Sequence, residues 1–274
     1  MTQTVGTLVG PARVFWRQRR LTNTLVSHEI TSQYSNGIYS LIWAVVTPLA
    51  TLSVYTFVFG YILKSSFHGM QSGSSPAVYA LGLFTGLILW DFFSSVINLS
   101  PSVIASKPNY VKKVVFPLEI LPVVLACVAL FHFLINSAIL LLGVLIFGAQ
   151  PAWRLLVLPV LLTPILFYTL GLSWLLASIG VFYRDLGNAI TPLLQLLWFA
   201  SAIFFPIASV PAQWRWLFYL NPVAAMVDET RQYAILGNSL NGPLIGTHLL
   251  VGWLLACAGL YFFRRSKPGF ADVL

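Results

Sequence analysis

The chain has 274 residues, of which 58% are hydrophobic and only 8% charged, against about 25% charged in an ordinary soluble domain. That leaves too little polar surface to keep a soluble globule dissolved, so the sequence reads as a polytopic membrane protein. The net charge of +8 would suit nucleic acid, but the basic residues gather at the ends of apolar runs, the pattern of topology signals and anionic headgroups, which excludes nucleic acid as a partner.

The first forty residues are polar and basic, with no short apolar core before a small-residue cleavage site, so no cleavable signal peptide is expected. Between Arg13 and Tyr34 the residues Arg13, Arg17, Arg20, Thr24 and Ser27 recur at steps of four and three, with Phe15, Val26 and Ile30 opposite. This pattern predicts an amphipathic helix lying in the headgroup plane. Leu41 to Leu63 carries no charge and is long enough to cross the roughly 30 Å hydrocarbon core as span one. A Ser- and Gly-rich loop follows, then span two, Ala77 to Ile97, interrupted by Asp91.

Asn98 to Pro117 is polar and basic, with Lys107, Lys112 and Lys113 inside a stretch cut by Pro101, Pro108 and Pro117. The prolines predict one or two short helices across the ends of the neighbouring spans, well shaped to touch a soluble partner. Span three is Ile120 to Gly148, span four Leu155 to Tyr183, and Arg184-Asp185 opens a short polar turn before span five, Ala189 to Ile207. From Ala208 to Gly242 the chain is neither apolar enough to span nor polar enough to be a free loop. Trp214, Trp216, Phe218 and Tyr219 precede Asn221-Pro222, then Asp228, Glu229 and Arg231, which predicts two short re-entrant helices with rings at headgroup level. Span six is Leu244 to Phe263.

Six spans put both termini on one side. Only Lys64, Arg154, Arg215 and Arg231 fall on the other, so the side that holds the remaining Lys and Arg, with both termini, is expected to be cytoplasmic.

No Lys follows a Gly, so a Gly-Lys-Ser/Thr phosphate loop is absent and no ATP site of that kind is expected here. His28-Glu29 begins like a metalloprotease motif, but Ser32 stands where the second His is required, and no Gly-x-Ser-x-Gly elbow occurs. Cys127 and Cys257 lie inside apolar runs and read as small hydrophobes, with neither a disulfide nor a metal site supported. Asp91 is the one carboxylate well inside a span, and six residues from the end of its run it is near enough the interface for hydration. Gly82 and Gly86 form a small-xxx-small pair. The rings Tyr55, Phe59, Trp90, Phe92, Phe93, Trp198, Phe199, Phe204 and Phe205 either pack the helices or line a conduit on which sugar rings stack, and the residues alone leave both readings open.

Gly37 to Trp43 with Thr47-Pro48-Leu49, Val54 to Gly60, Gly86 to Phe93, Val111 to Pro122 with its Lys-Lys-Val-Val-Phe-Pro core, and Asn221-Pro222 with Arg231 resemble the permease subunits of ATP-binding-cassette exporters for bacterial surface polysaccharides, O-antigen and capsule. Leu118 stands where that family often has Arg, and Asp91 where it often has Asn. The resemblance implies a homodimer of all-α, six-span subunits in the inner membrane, forming a conduit driven by two copies of a separate ATPase that carries ATP and Mg. The substrate it implies is a lipid-linked glycan moved outward, O-antigen before capsule.

On the same resemblance Arg17, Arg20, Lys107, Lys112, Lys113, Glu119, Arg184 and Asp185 are expected to couple to the ATPase, the nine rings to line the path, and Trp214, Trp216, Asn221, Asp228, Glu229 and Arg231 to form a periplasmic gate. An exporter of drugs or small lipids is the alternative within the class. A proton-coupled secondary transporter is the alternative outside it, and would call for internal repeats and several buried carboxylates.

Overall fold

The computed structural model describes residues 18–34, 40–62, 76–112, 116–147 and 151–273, and among them every element is helical. Helix α1 is Arg19–Tyr34, and α2, Ser40–Tyr55, passes into a π-helical segment, Thr56–Ile62. Then come α3, Pro76–Leu99, with a 3₁₀ turn at Ser100–Ser102, and α4, Pro108–Lys112. Helix α5 is Ile120–Phe147; α6, Leu158–Phe182, is entered through the 3₁₀ stretch Ala152–Val157. They are followed by α7, Leu186–Phe199, α8, Arg215–Leu220, and α9, Pro222–Thr230 with a π turn at Arg231–Ile235. The last long helix is α10, Gly242–Ser266, and α11, Phe270–Val273, folds back against α6.

Helix α3 is the axis of the bundle. Its first half is apolar around nearly the whole circumference and is stable only when covered, and the helix packs on α2, α5, α6, α7 and α9. Its Gly86 is where Val227 of α9 approaches: a methyl group there would lie 3.0 Å from the Val227 side chain. The small residue thus admits the re-entrant segment. Small polar links fix the axial register of the bundle. The Ser100 and Ser173 hydroxyls are 2.6 Å apart between the end of α3 and α6, and Trp174 Nε1 donates to the Glu119 carbonyl at 2.9 Å.

The most extensive helix pair is α6 with α10, and glycine permits it. A methyl group at Gly259 would strike the Gly171 carbonyl oxygen, and one at Gly171 would lie 2.7 Å from the Leu255 carbonyl carbon. Backbone therefore meets backbone along this seam.

Among the described residues five helices are long and apolar enough to cross a membrane: Ile42–Phe59, Pro76–Ser102, Ile120–Phe147, Ala152–Phe182 and Gly242–Gly269. The expected fifth span, Ala189 to Ile207, is not one helix. Helix α7 begins three residues earlier and stops at Phe199, giving 14 residues and about 21 Å, short of a full crossing. The apolar pattern runs on to Ile207, but Ala202 turns to a φ of 51° and the carbonyls beyond Phe199 bond to side chains of the re-entrant segment. The expected depth of Asp91 also changes, because α3 continues to Leu99 and places Asp91 eight residues, about 12 Å, from its end. Residues 13–17 of the expected interfacial helix lie outside the described residues. In the remainder Arg20, Thr24 and Ser27 are exposed while Leu21 and Leu25 pack on the core.

Replacing Gly259 by Ala is expected to lower the thermal midpoint of the purified protein by several degrees, whereas Gly246→Ala in the same helix, with open space around it, leaves the midpoint unchanged or raises it. A Gly259→Ala protein as stable as the parent would contradict the close seam.

Candidate functional site

At one end of the bundle α1, the 100–120 stretch and the C-terminal segment are tied together. Lys107 Nζ lies 3.4 Å from Glu29 Oε2 of α1. Glu119 receives Lys267 Nζ at 3.1 Å and Arg264 Nε at 3.9 Å, and its side chain is only 16% exposed. Val103 and Ile104 are buried in the core, and the Tyr110 and Phe116 rings stack with centroids 4.5 Å apart. Two of the residues expected to face an ATPase, Lys107 and Glu119, are thus engaged by the chain itself, while Arg20, Arg184 and Asp185 are exposed. Arg17, Lys113 and the Lys112 side chain lie outside the described residues. His132 of α5 adds a link that the sequence reading missed: its two ring nitrogens are 3.3 Å from Tyr34 Oη and from Gln33 Oε1. A lone His in an apolar run was the signal for it.

The nine rings separate into groups. Tyr55, Phe59, Trp198, Phe199 and Phe204 form one cluster with Tyr79: Phe59 stacks on Phe204 at 5.6 Å and Trp198 meets Phe204 edge-on at 5.0 Å. Phe199 is 63% exposed, so the cluster has an open side. Trp90 and Phe93 pair at 5.9 Å and line a cavity of about 630 Å³ with Tyr168, Phe218 and Asn221. Phe92 is buried against Phe133 in the core, and Phe205 packs on Phe218. Packing alone accounts for those last two.

The segment from Ala200 through α9 and its π turn is held by a buried polar network. Arg231, fully buried, donates through Nη2 to the Ala202 and Ile203 carbonyls at 3.0 and 2.7 Å and through Nη1 to Phe205 O at 3.2 Å. Asp228 Oδ1 lies 3.8 Å from Arg231 Nη1 and accepts the Ile207 N–H at 3.4 Å. Asn221 caps α9, accepting from Val223 N at 3.0 Å, and donates backward to Ala200 O at 3.1 Å. Tyr79 Oη donates to Phe204 O at 3.1 Å. Glu229 Oε2 accepts the Asn241 N–H at 3.0 Å. Of the expected gate residues, then, Asn221, Asp228, Glu229 and Arg231 are structural ties, and Trp214 and Trp216 are exposed, at 52% and 58%.

Residues 20–234 match the ABC-2 type transporter family. The chain belongs to that family. Among similar proteins is the O-antigen export system permease protein RfbA of Klebsiella pneumoniae, 24% identical over 251 residues, covering 91% of this chain and 93% of the relative. The RfbA of Myxococcus xanthus is 26% identical over 198 residues, 72% of this chain and 73% of its own. The polysialic acid transport protein KpsM of Escherichia coli is 25% identical over 256 residues, 91% of this chain and 95% of its own.

Arg231→Met should leave Asp228 buried without its cation and three carbonyls without a donor, a loss of about 3–5 kcal/mol. The expected result is a sharply lower thermal midpoint in detergent, partly restored by adding Asp228→Asn. A double variant no better than Arg231→Met alone would show that the two residues are not coupled.

Proposed function

We propose that this permease is the transmembrane subunit of an ATP-driven exporter that moves a lipid-linked surface polysaccharide outward across the bacterial inner membrane, O-antigen in the first place and capsule in the second. The observation that carries the reading is similarity to O-antigen and polysialic acid permeases over 91% of the chain. In this reading α7 and the broken segment after it form the fifth of six crossings, both termini are cytoplasmic, and two copies of the subunit meet with two copies of a separate ATPase that binds ATP and Mg. The ring cluster of Tyr55, Phe59, Trp198, Phe199 and Phe204 borders the path, with its open side toward the second copy. The tied end of the bundle is the ATPase side. Lys107, Glu119 and the C-terminal segment stiffen it, while Arg20, Arg184, Asp185 and the tip of α4 make the contact. The re-entrant segment closes the periplasmic end.

Two experiments test this. In cells that supply the cognate ATPase and glycan but lack their own permease, Tyr55, Phe59 and Trp198 replaced together by Ala should impair export with normal protein levels, each lost stack contributing of order 1 kcal/mol. Unchanged export means that the rings only pack. Arg20→Glu with Arg184→Glu, both at exposed sites, should reduce co-purification of the ATPase several-fold; undiminished co-purification removes these residues from the contact.

A further inference from the structure

Hydrocarbon offers no partner for a hydroxyl, amide or carboxylate, so a lipid-facing helix surface is apolar. The second half of α3 has the reverse pattern. Phe92, Phe93, Val96 and Ile97 are buried, and the side left uncovered carries Asp91, Ser94, Ser95 and Asn98, spaced i, i+3, i+4, i+7 along one face. Helix α7 extends the strip with Thr191 and Gln195, one turn apart and exposed, and Thr191 Oγ1 donates to Asn98 Oδ1 at 3.1 Å. On the rest of α7 the exposed residues include Leu193, Leu196 and Leu197. The polarity is thus confined to where the two helices meet.

Two cavities lie along this strip. One, of about 320 Å³, is lined by Ser94, Asn98, Thr191 and Gln195, with Trp90 and Trp198 at its border. The other, of about 370 Å³, reaches from Asp91 to Thr47 of α2 and to His132 and Asn136 of α5. Ser95 is a wall of both, so the two lie side by side along one groove; its hydroxyl donates to Phe92 O at 3.2 Å and keeps its lone pairs free to accept. Among the described residues no hydrogen bond or ion pair reaches Asp91. The strip ends at Trp198, where the ring cluster begins.

We infer that this groove is a sugar-binding track, which accepts the hydroxyls of a passing glycan on Asp91, Ser95, Asn98, Thr191 and Gln195 and hands its C–H faces to Trp90 and Trp198. A flat ring beside hydroxyl, amide and carboxylate groups is the chemistry that recognises a pyranose, and each cavity falls in the size range of ligand clefts, about 300–1,000 Å³. The contrast within the molecule supports the assignment. The larger cavity at Phe93, Tyr168 and Leu172 is bordered mostly by apolar groups, and its few polar side chains, Tyr168, Ser201 and Asn221, are already engaged with His248, Leu197 O and Ala200 O. This inference rests on the reading of the chain as a glycan exporter.

The test uses the full transporter with its ATPase, in a background where Cys127 and Cys257 are replaced. Cysteines at Ser95 and Gln195 should react with a small, charged, membrane-impermeant thiosulfonate, and react several-fold more slowly while glycan is being exported than when its synthesis is blocked. Gln195→Leu and Asn98→Leu should each slow export roughly tenfold, the loss of one well-made hydrogen bond, with unchanged ATPase association, and Gln195→Leu also with an unchanged thermal midpoint. Resistance to the charged reagent would make the strip lipid-facing. Disulfide cross-linking of positions 95 and 195 between two copies, with no effect of glycan, would make it a protein interface, and either result overturns the track. If the unsubstituted transporter exports no glycan, it is the exporter reading that fails; if it exports and the Leu variants match it, the track alone fails.

Discussion

Backbone that leaves a helix at membrane depth needs donors for its carbonyls, and Arg231 supplies three of them at once. The position of Trp198 at the end of α7, of Phe204 beyond the turn, and of α9 beside α3 all follow from that single guanidinium together with Asn221 and Tyr79. A buried cation is costly to desolvate, and here the cost is offset by charge-assisted bonds, each contributing about 1.5–3 kcal/mol, and by Asp228 on the same face of α9. The break is thereby fixed in one geometry. A chain without this tie would have no reason to stop α7 at Phe199.

The opposite end of the bundle is held by weaker means. The Lys107–Glu29 pair and the Glu119 pairs with Lys267 and Arg264 are partly exposed, and each such bridge is worth about 0–1 kcal/mol. Their value lies in where they fall. With the His132 contacts they join α1, the 100–120 stretch, α5 and the end of α10, so a push on any one of these is felt by the others. The buried Val103 and Ile104 make the joint solid, which lysines alone would not.

Much of the bundle was legible in the sequence. The ends of α5 and α10 lie close to where charge and proline predict them, because termini in a membrane protein are set by local polarity. The end of α7 was not, since the residues after Phe199 are as apolar as those before it and the donors that capture their carbonyls lie some thirty positions away. Asp228 and Arg231 read as a polar edge for the same reason: sequence shows charge, and only the fold shows that it is turned inward. The strip of Asp91, Ser95 and Asn98 had the right spacing to be noticed, but its continuation on Thr191 and Gln195 depends on how α3 and α7 cross.

The π-helical segment Thr56–Ile62 carries a consequence for how the chain tolerates changes of length. A wide turn of this kind holds one residue more than an α-helix would need, so a single deletion within it restores ordinary helical geometry rather than breaking the span. Because the wide turn absorbs the extra residue, the start of α2 would keep nearly the same face toward the bundle after such a deletion. The turn is therefore a place where the span can change by one residue on the Thr56 side while Phe59 keeps the face that it shares with Phe204.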